Sequence, residues 1–276
     1  MWITQLTLHQ DIYHQKFLNF KNFKGRENLN ILVTNDDGIN AEGIEVLAKA
    51  LIKEGHKVTI AAPNVENSGK SHAITFKSPL IVQDAKLEGL EDVRSLCVYG
   101  TPADCVRAAV HLLDEKFDYC FSGINSGYNT ATNVLYSGTV SAAIEANLFN
   151  IPAIAVSAQW VKGHSKFDSA AKIAMDVFNK LEDFKKLQVL NINVPYLDYE
   201  DIEGIEVCKV GADVMSIYDI SEEGEGYNMK LKGFPKENNG KDSDIYYLGK
   251  NYATVSPLLY DVTNLTLINE LKEIIK

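Results

Sequence analysis

Two adjacent carboxylates, Asp36 and Asp37, close a short apolar run, Ile31-Leu32-Val33, and are followed at once by Gly38. Acids placed side by side repel, and a hard divalent cation with oxygen ligands is the simplest compensating charge. Alone, Asp-Asp-Gly is equally well explained by a helix cap beside a turn acid. Two further polar segments shift the balance. Asn67-Ser68-Gly69 offers the Ser68 hydroxyl, and the stretch from Ser122 to Asn129 offers the Asn125 amide oxygen. Asp36, Asp37, Ser68 and Asn125 together make an all-oxygen set that suits Mg²⁺, Mn²⁺ or Ca²⁺ better than zinc. Two neutral ligands leave the net charge with a divalent ion near zero. Downstream, Ser137-Gly138-Thr139 opens a small-residue helix, where backbone N–H groups, two hydroxyls and the helix dipole can face an anion. By itself this is a good N-cap. Beside a cation it becomes the second half of a phosphohydrolase site, in which the metal polarises phosphorus and lowers the pKa of bound water.

These residues act together only if one architecture gathers them. Ile31–Thr34 is β-leaning and ends at the acids. Ile39–Lys53 carries an apolar stripe of Ile44, Leu47, Ala48, Leu51 and Ile52 at helical spacing. Strand character returns at 57–62, 73–82, 95–99, 117–121, 151–156 and 188–192. Between them lie a polar loop at 64–72, a helix from Pro102 to about Leu113 capped by Thr101, a long polar loop at 122–133, a helix over 140–148 and another over 167–181. Strands separated by helices imply a Rossmann-like α/β fold, a parallel sheet covered on both faces. Such sheets bind ligands at the carboxyl ends of their strands, where all three polar segments fall. After Pro195 the pattern changes. Residues 196–250 are punctuated by glycines and read as a β-hairpin arm, and 265–276 reads as a terminal helix. Arm and helix are expected to serve contacts between subunits, in a homodimer or homotetramer.

A net charge of −10 argues against a surface that coats nucleic acid, and a 46% apolar composition supports an ordinary core. Cys97, Cys105, Cys120 and Cys208 have no Cys-x-x-Cys spacing and read as reduced, buried thiols in a cytoplasmic protein. No run is long enough to cross a membrane. His72 reads as a surface-loop histidine, Lys70 as a solvated lysine and Asp104 as a first-turn acid; His56 and His111 are given no role. Residues 1–28 mix Trp2, Phe17, Phe20 and Phe23 with lysines and have no apolar secretory core. They are expected to lie outside the native fold, the unit proper being 29–276 with Leu29 as its true start, its core at about 29–195 and its arm and tail at about 196–276.

Several stretches, taken in order, carry a resemblance: ILVTNDDGINAEG at 31–43, Ala62-Pro63 with Ser68-Gly69, YGTPADCV at 99–106, SGINSGYN at 122–129, VLYSGTVSAA at 134–143, NINVP at 191–195 and ATVSPLLYDVT at 253–263. Together they resemble the survival protein SurE family from about Asn30 nearly to the C-terminus. The resemblance implies a metal-dependent 5′/3′-nucleotidase that dephosphorylates nucleoside monophosphates, with polyphosphate shortened by some members. It implies that Asp36, Asp37, Ser68 and Asn125 hold the divalent ion, and that Asn129 and the Ser137-Gly138-Thr139 turn bind phosphate. Its usual fold is a Rossmann-like domain with a protruding, dimer-forming C-terminal part. The chain departs from the pattern at Asn64-Val65-Glu66-Asn67, where an arginine or similar residue is usual, and at Ala131 and Asn133, where glycine and aspartate are frequent.

Asp36 and Asp37 are accordingly the candidate catalytic acids. Asp36 is the group expected to orient or deprotonate the attacking water. An Asp-nucleophile phosphatase is a second reading, though that chemistry normally uses Asp-x-Asp rather than adjacent acids. A nucleotide-binding sensor that never turns over is the third.

Overall fold

The computed structural model describes residues 28–181, 189–233 and 240–275. The expectation for residues 1–28 lies almost wholly outside these. Strands β1 (Asn30–Thr34), β2 (Lys57–Pro63), β3 (Ile81–Ala85), β4 (Arg94–Tyr99), β5 (Tyr119–Ser126), β6 (Ala153–Ala158), β7 (Val189–Val194), β8 (Ile205–Val207) and β11 (Ala253–Leu258) form one sheet in the order β3-β4-β2-β1-β5-β6-β7-β11-β8. Six central strands, β4 to β7 in that order, run parallel. β3 pairs antiparallel with β4, and β11 antiparallel with β7, so the sheet is mixed at its flanks.

The parallel centre reads as continuous apolar runs because both faces are covered. On β1, Ile31 and Val33 join one core, and Leu32 joins the other. Helices α1 (Glu42–Lys53) and α4 (Phe167–Lys180) cover the first face, where Phe178 packs edge-on against Tyr119 and Phe121. Helices α2 (Pro102–Leu112) and α3 (Gly138–Leu148) cover the second. Gly43 lets α1 come close: a Cβ there would lie 2.0 Å from the Ile124 carbonyl oxygen.

Three local expectations are corrected. Residues 73–80 form no strand. The Thr75 N–H and hydroxyl both go to the Asp104 carboxylate, and the Thr101 hydroxyl takes the Ala73 carbonyl, so this backbone is committed before it can join a ladder. The segment expected as a loop from Ser122 is strand as far as Ser126, pairing with β6 across a register break between Ser122 and Asn125. Ile52 points off the apolar stripe of α1 and is exposed.

The C-terminal part contains the antiparallel ribbon β9 (Ile217–Glu223) and β10 (Gly226–Gly233), the short helix α5 (Asp244–Leu248), β11, and α6 (Leu265–Ile274), which buries none of its residues. No helix among the described residues is long and apolar enough to cross a membrane.

Candidate active site

β1 delivers its acids to the carboxyl edge through a turn built by Asn35. The Asn35 side chain donates to the Gly38 carbonyl (2.8 Å) and accepts from the Gly38 N–H (3.2 Å), closing an Asx-type loop around Asp36 and Asp37. Gly38 sits at φ +107°, a conformation that a side chain would strain. The Asp36 carbonyl then accepts the Asn67 N–H (2.7 Å), which docks the Ser68 loop on the end of β1.

Asp36 is only 3% exposed. Its Oδ1 accepts the Thr139 hydroxyl. Gly138 is what permits the approach, because a Cβ there would meet the Asp36 Cβ at 2.8 Å and Oδ2 at 2.9 Å. The end of β1 and the start of α3 are therefore one structural unit. Burial pushes the Asp36 carboxyl above its ordinary value, opposed by the Thr139 hydroxyl. Asp37 is pushed up to about 6, first by burial and then by the charge of Asp36, while the Ser126 N–H (3.1 Å to Oδ2) pulls it back. Glu66 adds negative potential to both acids. It stands at one of the family departures, and its Oε1 accepts the Ser68 hydroxyl at 2.8 Å. Sequence reasoning assigned Glu66 no role; its position next to Ser68 was the available signal.

Asn125 follows the register break in β5. Its amide nitrogen donates to the Gly127 carbonyl (2.7 Å), which turns its oxygen to the role of acceptor. Asn129 rests on a buried polar platform. Its N–H donates to Asn193 Oδ1 (2.8 Å), its carbonyl accepts from the amides of Asn191 (2.8 Å) and Asn193 (3.1 Å), and its own amide donates to the Ser157 hydroxyl (2.9 Å). Asn191, Asn193 and Ser157 were not among the candidates. The polar residues of Asn-Ile-Asn inside a buried strand were the visible clue, since buried amides must be paired.

Ser137 caps α3 by accepting the Val140 N–H at 3.1 Å, which leaves its hydroxyl proton available for another acceptor. Lys70 donates to Asn67 Oδ1 (2.8 Å), so it steadies the Ser68 loop. Asp104 closes a capping box with Thr101 and holds Thr75, well beyond a simple first-turn acid. His72 is tied to Glu145 on α3 (2.7 Å), a buried acid that also pairs with Arg107 (2.6 Å). Burial works to raise the Glu145 carboxyl, but the His72 bond and the Arg107 charge prevail and hold it below the ordinary range. His56 is buried edge-on against Phe178.

The residues fit a divalent cation. Both acids carry charge that burial disfavours, and Glu66 adds to it. Among the described residues no three His, Cys, Asp or Glu side chains are grouped as a metal site. An ion here would have the two carboxylates and take its remaining ligands from neutral oxygens such as Ser68 and Asn125, which is hard-cation chemistry.

The family model of survival protein SurE matches residues 31–216. The chain is similar to the 5′-nucleotidase SurE of Clostridium botulinum strain 657 / Type Ba4, with 44% identity over 253 residues, 89% of this chain and 99% of that protein. Its similarity to the 5′-nucleotidase SurE of strain Alaska E43 / Type E3 is 41% over 251 residues, again 89% of this chain and 99% of the relative. Among solved structures it is similar to the SurE protein of Aquifex aeolicus, with a TM-score of 0.76 and 32% identity over 90% of this chain and 100% of that one. The strand-end acids, the glycine-backed helix start and these likenesses agree: the chain belongs to the SurE family.

Proposed function

We propose that residues 29–276 form a cytoplasmic, divalent-metal-dependent phosphomonoesterase that hydrolyses nucleoside 5′-monophosphates, 3′-monophosphates and short polyphosphate. The relatives named 5′-nucleotidase support the nucleotidase reading. One observation carries it: the Asp36 carboxylate is joined to the first turn of α3 at Gly138 and Thr139. A group that attracts cations and a helix end that attracts anions thus meet at one point, a pairing suited to a phosphate ester handled with the help of a cation.

Asp36, Asp37, Ser68 and Asn125 would hold Mg²⁺ or Mn²⁺. When bound, the ion supplies Lewis acidity toward the phosphoryl oxygens and lowers the pKa of coordinated water. The protein's own residues do the positioning. The Ser137 hydroxyl proton, the Gly138 and Thr139 N–H groups and the second proton of the Asn129 amide donate to the phosphoryl oxygens, where charge develops during in-line displacement. Thr139 holds Asp36 Oδ1 as an acceptor, leaving Oδ2 beside Gly138 to receive a proton from the attacking water. The exposed apolar faces of the β9–β10 ribbon and α6 suit contact with further copies in a dimer or tetramer.

Phosphate release from a panel of nucleoside monophosphates tests this directly, with Mg²⁺ or Mn²⁺ and with EDTA, for the wild type and Asp36→Asn. Release that needs the metal and collapses in the variant is the expected result. Nucleotide binding with no release under any metal would replace the enzyme with a sensor. A phospho-aspartate on either acid would replace direct water attack with a nucleophilic aspartate.

A further inference from the structure

Asp244 opens α5, and none of its surface is exposed. A carboxylate withdrawn from water needs donors or a cation. This one takes three peptide N–H groups. Oδ1 accepts from Gly211 at 2.9 Å and from Ile245 at 2.8 Å, and Oδ2 accepts from Ala131 at 2.9 Å. A first-turn acid in a short helix accounts for the Ile245 bond alone. The other two lead away from the helix and join distant parts of the chain.

Gly211 belongs to the segment that leads into β9, the root of the arm. A Cβ at this position would lie 3.1 Å from Asp244 Oδ1 and 3.4 Å from the Ala131 Cβ, so glycine lets the three meet. Ala131 is two residues beyond Asn129 and begins the 3₁₀ turn Ala131–Leu135 that leads to Ser137. It sits at φ +48°, a region non-glycine residues enter only when their surroundings hold them there. The next residue makes a parallel connection, since Thr132 reaches the Asp213 carbonyl through its N–H (3.3 Å) and its hydroxyl (2.7 Å). The 129–132 loop is therefore gripped from beneath by Asn191, Asn193 and Ser157, and from the side by the arm root.

We infer that Asp244 is a positioning residue: by holding Ala131 against Gly211 it registers the loop that carries Asn129 and leads to Ser137 with the root of the C-terminal arm. This rests on reading Asn129 and the Ser137 turn as the phosphate end of a nucleotidase site. It extends that reading to a residue more than a hundred positions away, in the part of the chain otherwise suited to subunit contact. Burial raises the Asp244 carboxyl while the three N–H groups oppose it, so the anion depends on their geometry.

Asp244→Asn keeps the shape but replaces one acceptor with an amide that cannot receive an N–H. Ser243→Ala is the matched control. It removes the cap of the same helix, the bond from Tyr246 N–H to Ser243 Oγ (3.3 Å), without touching the loop. Both full-length proteins are assayed with a nucleoside monophosphate and Mn²⁺, well below their unfolding temperatures. Asp244→Asn is expected to lower kcat/KM about tenfold, mainly through KM, and Ser243→Ala to leave both constants unchanged. Amide hydrogen exchange over residues 129–137 is read in parallel and should quicken only in Asp244→Asn. If Asp244→Asn does not fold, Thr132→Val removes the shorter, hydroxyl bond of the neighbouring connection and should move KM and exchange in the same direction. Identical kinetics and exchange in Asp244→Asn and Ser243→Ala, or no change in Thr132→Val where it stands in, would overturn the inference. A wild type that releases no phosphate counts against the nucleotidase reading alone, and exchange then decides the role of Asp244.

Discussion

At the carboxyl edge of the sheet, polar side chains are buried and paired; in the C-terminal arm, apolar side chains are exposed. Asp36, Asn129, Thr139, Asn191 and Asn193 are all nearly or fully out of solvent. Three pairs of the β9–β10 ribbon lie in the open on alternate positions: Tyr218 opposite Leu231, Ile220 opposite Met229, Glu222 opposite Tyr227. These pairs share one face, and five of its six residues, Tyr218, Ile220, Tyr227, Met229 and Leu231, are apolar or aromatic. A two-stranded ribbon with an uncovered apolar face is marginal in water. Burying polar groups is tolerable at the sheet edge because Asp36, Asn129, Asn191 and Asn193 each bond to a group delivered from another element, although Asn191 Oδ1 itself has no partner among the described residues. Polarity alone therefore locates neither region: the platform behind the site is polar and hidden, and the arm is apolar and open. What separates them is whether the chain itself supplies the partners.

The comparison breaks most severely through the core beneath the site. Gly43→Ala would drive a Cβ into the Ile124 carbonyl oxygen, so α1 must lift from β5 next to Asn125. A loss of about 3 kcal/mol or more in chemical denaturation is expected, with turnover falling alongside it.

Glu145 gives the next largest effect. Glu145→Gln leaves Arg107 and His72 without their buried acid and should cost about 2–3 kcal/mol at neutral pH. Its folded pKa lies below the ordinary value, so its contribution is complete above about pH 4.5, the ordinary glutamate value, and is lost as pH falls through the folded pKa. Denaturation of the wild type and variant across that range should show their difference shrinking toward acid. A constant difference would mean that the acid acts through packing.

Asp37 behaves in the opposite sense. With its folded pKa raised from 3.8 to about 6, the metal-free native state holds a proton more tightly than the unfolded chain. Stability without metal should therefore fall as pH rises from about 4 to 6. Added Mn²⁺ should raise Tm, and should do so more strongly as pH passes upward through that window. EDTA should reverse it. A Tm shift that ignores pH would separate the ion from Asp37.

The smallest effect belongs to the arm. Replacing Tyr218, Ile220, Met229 and Leu231 together by serine should leave the stability of a dilute single copy within about 0.5 kcal/mol per site, because little is buried there. Sedimentation should lose whatever larger species the wild type forms. A large loss of intrinsic stability would show instead that the ribbon is part of the core.

Most of the central architecture was legible in residue order. Apolar runs separated by amphipathic helices admit few arrangements other than a parallel sheet covered on both sides, and the helix starts at Pro102 and Gly138 announce themselves through Thr101 and Ser137. What escaped were places where a side chain overrides local preference. Residues 73–80 have strand-like composition, yet Asp104 takes the Thr75 backbone. The polar letters from Ser122 suggest a loop, yet the strand continues because β6 supplies its ladder. Glu66 near Ser68 and the Asn-Ile-Asn of β7 were visible in the sequence, but what each of them touches was not.

By itself the sequence determined which oxygen-bearing groups are present, since adjacent acids, a serine, an asparagine and a Ser-Gly-Thr helix start are covalent facts of order and type. Only the tertiary structure decided that the acids at the end of β1 meet the start of α3. The join between Asp36 and Thr139 spans more than a hundred residues, as does the clip from Asp244 to Ala131. Such contacts depend on the relative placement of strands and helices across the sheet, which local propensity does not encode.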